Sequence, residues 1–478
     1  MASWTRGRRL GRLTTLGVVV VLLAGCSSAA SPAISTAPAA SSGSSATAPA
    51  SAAAGSPAGS ASSSAAAVAT AKPAPATLQL WLGGILTTAT PGSDARKWVD
   101  QQITRFEQAN PGSKVDITLL PSNNDQLAAQ VQAAFAAHNV PDVMMLYSGS
   151  YTLAYQSGLM PLNNFINATP GFYNSMSLWD LSCANYDCKN GQGTIYGVPS
   201  DAYSFVLYYN KSLFSKAGIA GPPATYTQLY ADCAKFNSMG VIPFVYGDRD
   251  GYTTDNLVID NILSYWQPGD TQKFEQGQLK FTDPKWVNAL QPILAMRTNK
   301  CVNNDASTLE QIHSSDLFAS QKGAMFEGQP QFLPYFKSIA NDVGVARLPR
   351  SGSGPYSQGV IGSSGDDWVI PTGAKHPALA WQLIKTFSDQ TAGDTMISLL
   401  GSPPCNIAAQ ANISDPRVKA VFDLIKKGPT LPEMDIVMSQ ATALYFYKQL
   451  QLAFAGQETA QQAMQAVQQY VDQQGGKP

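Results

Sequence analysis

Beyond residue 76 the spacing of apolar positions changes several times along the chain. Leu78, Leu80 and Leu82 alternate with polar residues, Val99, Ile103 and Phe106 recur at helical spacing, and Val115, Ile117 and Leu119 alternate again. Period two puts every second side chain on one face of a strand, whereas steps of three and four line one face of a helix. The order is therefore strand, helix, strand, with Asn110, Pro111 and Gly112 punctuating the helix end. Leu127, Val131, Ala134 and Phe135 predict a second helix. The continuous apolar run 143–147 has the character of a strand buried on both faces of a parallel sheet. This βαβαβ opening predicts an α/β fold.

Further on, the aromatic and β-branched stretch 196–209, interrupted early by Pro199, reads as an extended crossing segment. Thr225 with Gln228 forms a capping-box pattern ahead of a helical face made by Tyr226, Leu229, Cys233 and Phe236. Residues 241–246 predict a strand, and helices are expected around Leu290, Leu383 and Tyr447. A second capping box, Thr459 with Gln462, opens a last helix that buries Ala463, Met464, Val467 and Tyr470.

The amino-terminal part follows other rules. Arg6, Arg8, Arg9 and Arg12 precede an apolar run over residues 13–23, too short to span a bilayer, which reads as the core of a signal peptide covering residues 1–25. Residues 27–76 are almost all Ala, Ser, Pro, Gly and Thr, with Lys72 the only charge. So little apolar bulk cannot offset the entropy of ordering, and residues 26–76 read as a flexible tether spanning about 40 Å on average. The remaining 77–478 exceed what one core organises, which predicts two lobes. All 32 acidic residues lie there, its net charge is about −6, and no basic stripe is visible, so nucleic acid is not expected as a partner. Cys183 with Cys188, in a polar loop, and Cys233 with Cys301 are the expected disulfides, leaving Cys405 free; five reduced thiols are the alternative.

Two resemblances add to this reading. Leu23, Ala24, Gly25 and Cys26 resemble the lipobox of bacterial lipoproteins, which implies cleavage before Cys26, acylation of its thiol, and a chain held on the outer face of the cytoplasmic membrane. Arg8 and Arg9 leave Sec and twin-arginine export both open. The folded part resembles the extracellular solute-binding proteins of bacterial ABC importers, family 1, the maltose-binding-protein-like group. The likeness is carried by Phe106, Glu107 and Asn110–Pro111–Gly112; by Val140–Pro141–Asp142–Val143; by Tyr196–Gly197–Val198–Pro199 with Tyr208–Tyr209–Asn210–Lys211 and Leu213–Phe214; by Lys216–Ala217–Gly218 with Pro222–Pro223 and Thr225–Tyr226; and by Gly323–Ala324–Met325.

The resemblance implies a two-lobed periplasmic-binding-protein-like fold with a ligand cleft between the lobes. The first lobe is expected over roughly 77–200 plus part of 300–345, and the second over roughly 205–300 plus part of 345–478. Hinges are expected near Ser200 to Ser204 and Pro330 to Phe336, with a third crossing unplaced. It also implies a carbohydrate ligand, permease subunits as partners, a monomer, and no cofactor. A polyamine, a glycerol phosphate ester or another polar solute on the same fold, a receptor working through a membrane sensor, and a secreted glycoside hydrolase are the alternatives.

Sugars need planar or charged hydrogen-bond partners for their hydroxyls and aromatic rings for their C–H faces. Candidates in the loop after the third strand are Tyr147, Ser148 and Ser150. Tyr203 stands at the hinge position where maltose-binding members carry a carboxylate. Asp248 follows a strand end, and Trp266 either stacks on a ring or packs in the core. Glu327, Gln329 and Gln331 occupy a stretch that in the family normally ends in a tryptophan floor; here that position is Gln331, which favours polar contacts. Asp366 and Asp367 precede an apolar strand, where adjacent residues point to opposite faces and so cannot form a hydrolase pair. Asp125 is a weaker candidate, since a carboxylate at a helix start is favoured there anyway. The chain has no G-x-S-x-G, Walker A or H-E-x-x-H pattern, and His138, His313 and His376 are scattered, so neither catalysis nor a metal site is expected.

Overall fold

The computed structural model describes residues 73–478 apart from 123, 185–187 and 189–190. The expected signal peptide, Cys26 and all but the last four residues of the tether lie outside the described residues. Alternating leucines place β1 (Thr77–Leu82) with Leu78, Leu80 and Leu82 fully buried, and the helix Asp94–Ala109 follows, its first turn capped by the Ser93 side chain. Next come β2 (Lys114–Leu119), the helix Asn124–Ala136 and β3 (Val143–Tyr147). The crossing region supplies β4 (Gly197–Pro199), β5 (Ala202–Tyr203) and β6 (Val206–Asn210). Then follow β7 (Ile242–Val245), β8 (Gly323–Gly328), β9 (Val343–Ala346), β10 (Val360–Ile361), β11 (Ser363–Ser364), β12 (Asp366–Val369) and β13 (Thr430–Leu431).

Two sheets organise two lobes. The first runs β2-β1-β3-β12-β4, with β1 parallel to β2 and β3, and β12 antiparallel to both β3 and β4. The second runs β7-β8-β6-β9, with β6 antiparallel to β8 and β9. These pairings correct the expected lobe boundaries. β8 and β9, within 300–345 or just past it, belong to the second sheet, because β6 leaves both its edges open for them. The stretch from β12 through the helices Pro377–Phe387 and Gln390–Leu400 belongs to the first lobe, where Trp368, Leu383 and Phe387 join the core of Trp98 and Val99. Periodicity identifies these elements but carries no information about which sheet a strand joins.

The chain crosses between lobes through Ser200 to Phe205 and through Gly362 to Gly365, where β5 and β11 pair antiparallel with Tyr203 opposite Ser363. Residues 411–415 return it from the helix Ile407–Gln410, tied to Ser177 and Ser388, to the helix Pro416–Lys427 of the second lobe. The hinge expected at Pro330 to Phe336 is instead part of the second-lobe core, with Phe332 and Phe336 against Phe326. Both capping boxes form as read, at Thr225 with Gln228 and Thr459 with Gln462.

Within the second lobe the helix Tyr252–Asn261 is buried along almost its whole length, although it carries Asp255, Asn256, Asp260 and Asn261. Arg350 fixes it by pairing both guanidinium nitrogens with the Asp260 carboxylate and donating to the Gly359 carbonyl at 3.0 Å. A buried bidentate pair with a further hydrogen bond is strongly directional, so this helix has one register. Among the described residues no helix is long and apolar enough to cross a membrane.

Cys183 is bonded to Cys188 and Cys233 to Cys301, while Cys405 is buried and free. The second bridge joins residues 68 apart, the first only 5. Closing the longer loop removes more freedom from the unfolded chain, about 4 kcal/mol against about 2 kcal/mol. Replacing Cys233 and Cys301 by Ala is therefore expected to lower the urea-unfolding free energy by clearly more than replacing Cys183 and Cys188.

A carboxylate and tyrosine cluster between the lobes

The strand ends and crossings bring acidic and aromatic side chains together. Asp201, in the crossing between β4 and β5, is fully buried, and its Oδ2 accepts from Ser402 Oγ at 3.1 Å and Gln331 Nε2 at 3.3 Å. Asp366, at the start of β12, lies beside it, and the Ile85 backbone N–H donates to its Oδ2 at 3.2 Å. Room for that carboxylate depends on Gly84, whose φ of 54° and missing Cβ let the backbone pass against Asp366. Burial pushes Asp201 up to about 6 and raises Asp366 strongly, with Asp201 adding to the second shift.

A second group gathers around Tyr203 and the loop that carries Glu433 and Asp435. Tyr203 donates its hydroxyl to Glu433, and Tyr447 donates to Asp435. Asp255, from the buried helix, completes a trio in which one carboxylate oxygen from each residue lies within 4.8 Å of the others. Burial raises Glu433 and Asp255 well above the ordinary carboxylate range, with Asp435 the next cause for both, and pushes Asp435 up to about 6. First-lobe residues close over the trio. Tyr147, at the end of β3, packs edge-on to Tyr151 at 5.7 Å, and Tyr151 lies beside Tyr447 and Asp435. Gly149 packs against Ile436, beside the trio's loop.

Of the candidates read from the sequence, Tyr147, Tyr203, Gln331 and Asp366 meet here, and Ser150 sits at the edge, beside Tyr151, with a buried hydroxyl lacking a protein partner. The others lie elsewhere. Ser148 donates to the Ser364 carbonyl at 2.7 Å and so joins β3 to the β11 crossing. Asp367, on the face of β12 opposite Asp366, accepts from Ser182 at 2.6 Å. Asp248 accepts from the Thr254 N–H at 2.8 Å and its hydroxyl at 2.7 Å, which holds the start of the buried helix. Glu327 is buried on β8 between Asn256 Nδ2 at 3.1 Å and Gln311 Nε2 at 2.8 Å. Gln329 offers its carbonyl to the Tyr208 hydroxyl at 3.0 Å. Trp266 packs in the second-lobe core against Phe274 and Trp286, with its N–H bonded to Thr271, so the core reading of this indole replaces the stacking one. The side chain of Asp125 lies outside the described part.

Sequence reading passed over Asp201, Asp255, Glu433 and Asp435. Asp201 stands inside the stretch named as a hinge. Asp255 carried no clear signal, since Thr253, Thr254 and Asn256 beside it read as a polar helix start.

Two α/β lobes joined by paired crossings, with polar and aromatic side chains from both lobes meeting between them, are the architecture of a two-lobed solute-binding protein. The chain belongs to the bacterial extracellular solute-binding proteins, whose family pattern matches residues 101–422. It is 31% identical over 148 residues to an sn-glycerol-3-phosphate-binding periplasmic protein of Yersinia pestis, a match covering 30% of this chain and 33% of that protein. In structure it is similar to a chain solved in work on xylan utilization by Caldanaerobius polysaccharolyticus (TM-score 0.72, 22% identity, 83% of this chain and 100% of the other). A chitin oligosaccharide binding protein is similar too (TM-score 0.72, 18% identity, 83% and 98%).

The raised carboxylates have a consequence for stability. Burial pushes Asp201 and Asp435 up to about 6, and Asp248 and Asp367 up to about 7, whereas in the unfolded chain they titrate near 4. Between those values the folded state holds more protons than the unfolded one, so stability is fullest near pH 4 and is lost as pH rises through 6 and 7. The melting temperature of solute-free protein is therefore expected to fall between pH 5 and pH 8, and a steady rise over that interval would refute the assignment.

Proposed function

We propose that this chain captures a carbohydrate outside the cytoplasmic membrane and hands it, chemically unchanged, to an ABC permease. The observation that carries the reading is the convergence, between two lobes, of Asp201, Asp366, Glu433 and Asp435 with Tyr147 and Tyr203. Carboxylates accept hydroxyl hydrogen bonds strongly, and tyrosine rings offer flat apolar faces to a sugar ring. The xylan and chitin connections of the structural relatives support the same class. Acylated Cys26 would keep the receptor at the membrane, and the tether would let it turn to dock as a monomer.

Two alternatives fit less well. A phosphorylated solute such as glycerol phosphate would meet a cluster of carboxylates, and like charges in a poorly hydrated cleft repel strongly. A glycoside hydrolase needs two carboxyl groups about 5 to 9.5 Å apart across the scissile bond. Glu433 and Asp435 bring carboxylate oxygens within 4.8 Å of each other, and Asp201 acts directly on the neighbouring Asp366, so neither pair spans the separation that a scissile glycosidic bond needs.

A solute that binds only the folded state raises its melting temperature. Screening the purified chain against mono- and oligosaccharides is expected to give such a shift with no product formed on long incubation. Tyr203→Phe, which removes the bond to Glu433, should weaken binding about tenfold while the protein stays folded. A shift with glycerol phosphate and none with any saccharide would refute the carbohydrate assignment.

A further inference from the structure

Asp201, Asp255, Asp366, Asp367, Glu433 and Asp435 are all buried, and none takes part in an ion pair with Lys, Arg or His among the described residues. The charged and phenolic groups that act most strongly on the trio are other carboxylates and tyrosines. The protein does bury ion pairs where it needs them, as Arg350 with Asp260 shows a few residues away. Buried carboxylates without a cation are costly, and their usual remedies are a shared proton or a charge brought from outside.

The trio is more than an acidic patch. Both oxygens of Asp255 are buried without a hydrogen-bond partner, as is Oδ1 of Asp435, and the Asp255 carboxylate points at Glu433 and Asp435. We infer that Asp255, Glu433 and Asp435 form a subsite for an organic ammonium group carried by the solute. The inference rests on the reading of the interlobe cleft as the solute site.

The free acceptors match what an ammonium group needs. Three acceptors, each about 2.8 Å from one nitrogen in tetrahedral directions, lie about 4.6 Å from one another. The trio's oxygens all lie within 4.8 Å of one another, a bound that admits this spacing. Tyr203 already occupies an oxygen of Glu433 and Tyr447 one of Asp435, while both oxygens of Asp255 and Oδ1 of Asp435 are without a partner. That is enough for the three N–H groups of a primary ammonium and short of the six to eight oxygens that calcium takes. The cation has two chemical sources, an amino sugar or a linear polyamine.

The purified chain is titrated with glucosamine and its β-linked oligomers, with the N-acetylated counterparts, with putrescine and with calcium, following heat and melting temperature. Free-amine sugars or putrescine are expected to bind at least about tenfold more tightly than the acetylated sugars, and which of the two does so identifies the source. Asp255→Asn should abolish that preference, and Glu433→Gln provides a second variant if the first misfolds. Equal binding of aminated and acetylated sugars would overturn the ammonium subsite and leave the carbohydrate cleft standing. A response to calcium alone would replace the subsite by a metal site. No response to any sugar or amine would remove the cleft reading and the subsite together.

Discussion

Between β3 and β4 the first sheet has a gap that only an antiparallel strand from far along the chain fills, and much of the molecule follows from how β12 enters it. Asp366 pairs with Tyr147 and Val369 with Met144 on one side, while Trp368 pairs with Val198 on the other. The strand must arrive from the second lobe, so the residues before it become a crossing and lie beside the other crossing as β11 against β5. Its pleat then sends Asp366 toward Gly84 and Ile85, at the end of β1, and Asp367 toward Ser182. The hydrogen-bond register that ties the sheet together thus also positions a buried carboxylate among the side chains that meet between the lobes.

The same economy holds in the second lobe. The helix Tyr252–Asn261 needs Arg350 to neutralise Asp260, and that pair fixes its rotation. With Asp260 and Asn261 committed to Arg350 and Ser351, and Asn256 to Glu327, the remaining buried carboxylate of the helix is Asp255, at its cleft end. A polar residue inside a packed helix is tolerated where it has a partner. Three of these four have partners in the protein, and the fourth faces the place where a solute would lie.

How much of this was legible in the sequence depends on range. Local signals were strong: the alternation in Leu78, Leu80 and Leu82, the stripe of Val99 and Phe106, and the capping boxes at Thr225 and Thr459 all gave elements that form as read. Sheet membership was not legible, because β8 joins β6 and β7 through contacts across more than eighty residues, and no period in the chain encodes them. The site was half legible. Tyr147, Tyr203 and Asp366 stand at strand ends and crossings, where α/β folds place ligands. Trp266 misled because an indole suits a sugar floor and a core equally, and only its contacts with Phe274 and Trp286 decide. Glu433 and Asp435 carried no pattern, since a two-residue spacing of acids in a loop looks like any solvated turn until the lobes close over it.

Closing over unpaired carboxylates has a cost that a solute can offset, and this links the architecture to its switching. With the cleft empty, desolvation disfavours charged Asp255 and Glu433, so each must take up a proton or remain in contact with water. Both alternatives work against a closed, charged cleft at neutral pH. A ligand that supplies hydroxyl or ammonium hydrogens to those oxygens removes the penalty only when the lobes are together, which is the differential affinity that any closure requires. On the proposed reading of the site, the acidic cluster would make closure conditional on occupancy: lobes that bury this much charge most need something between them.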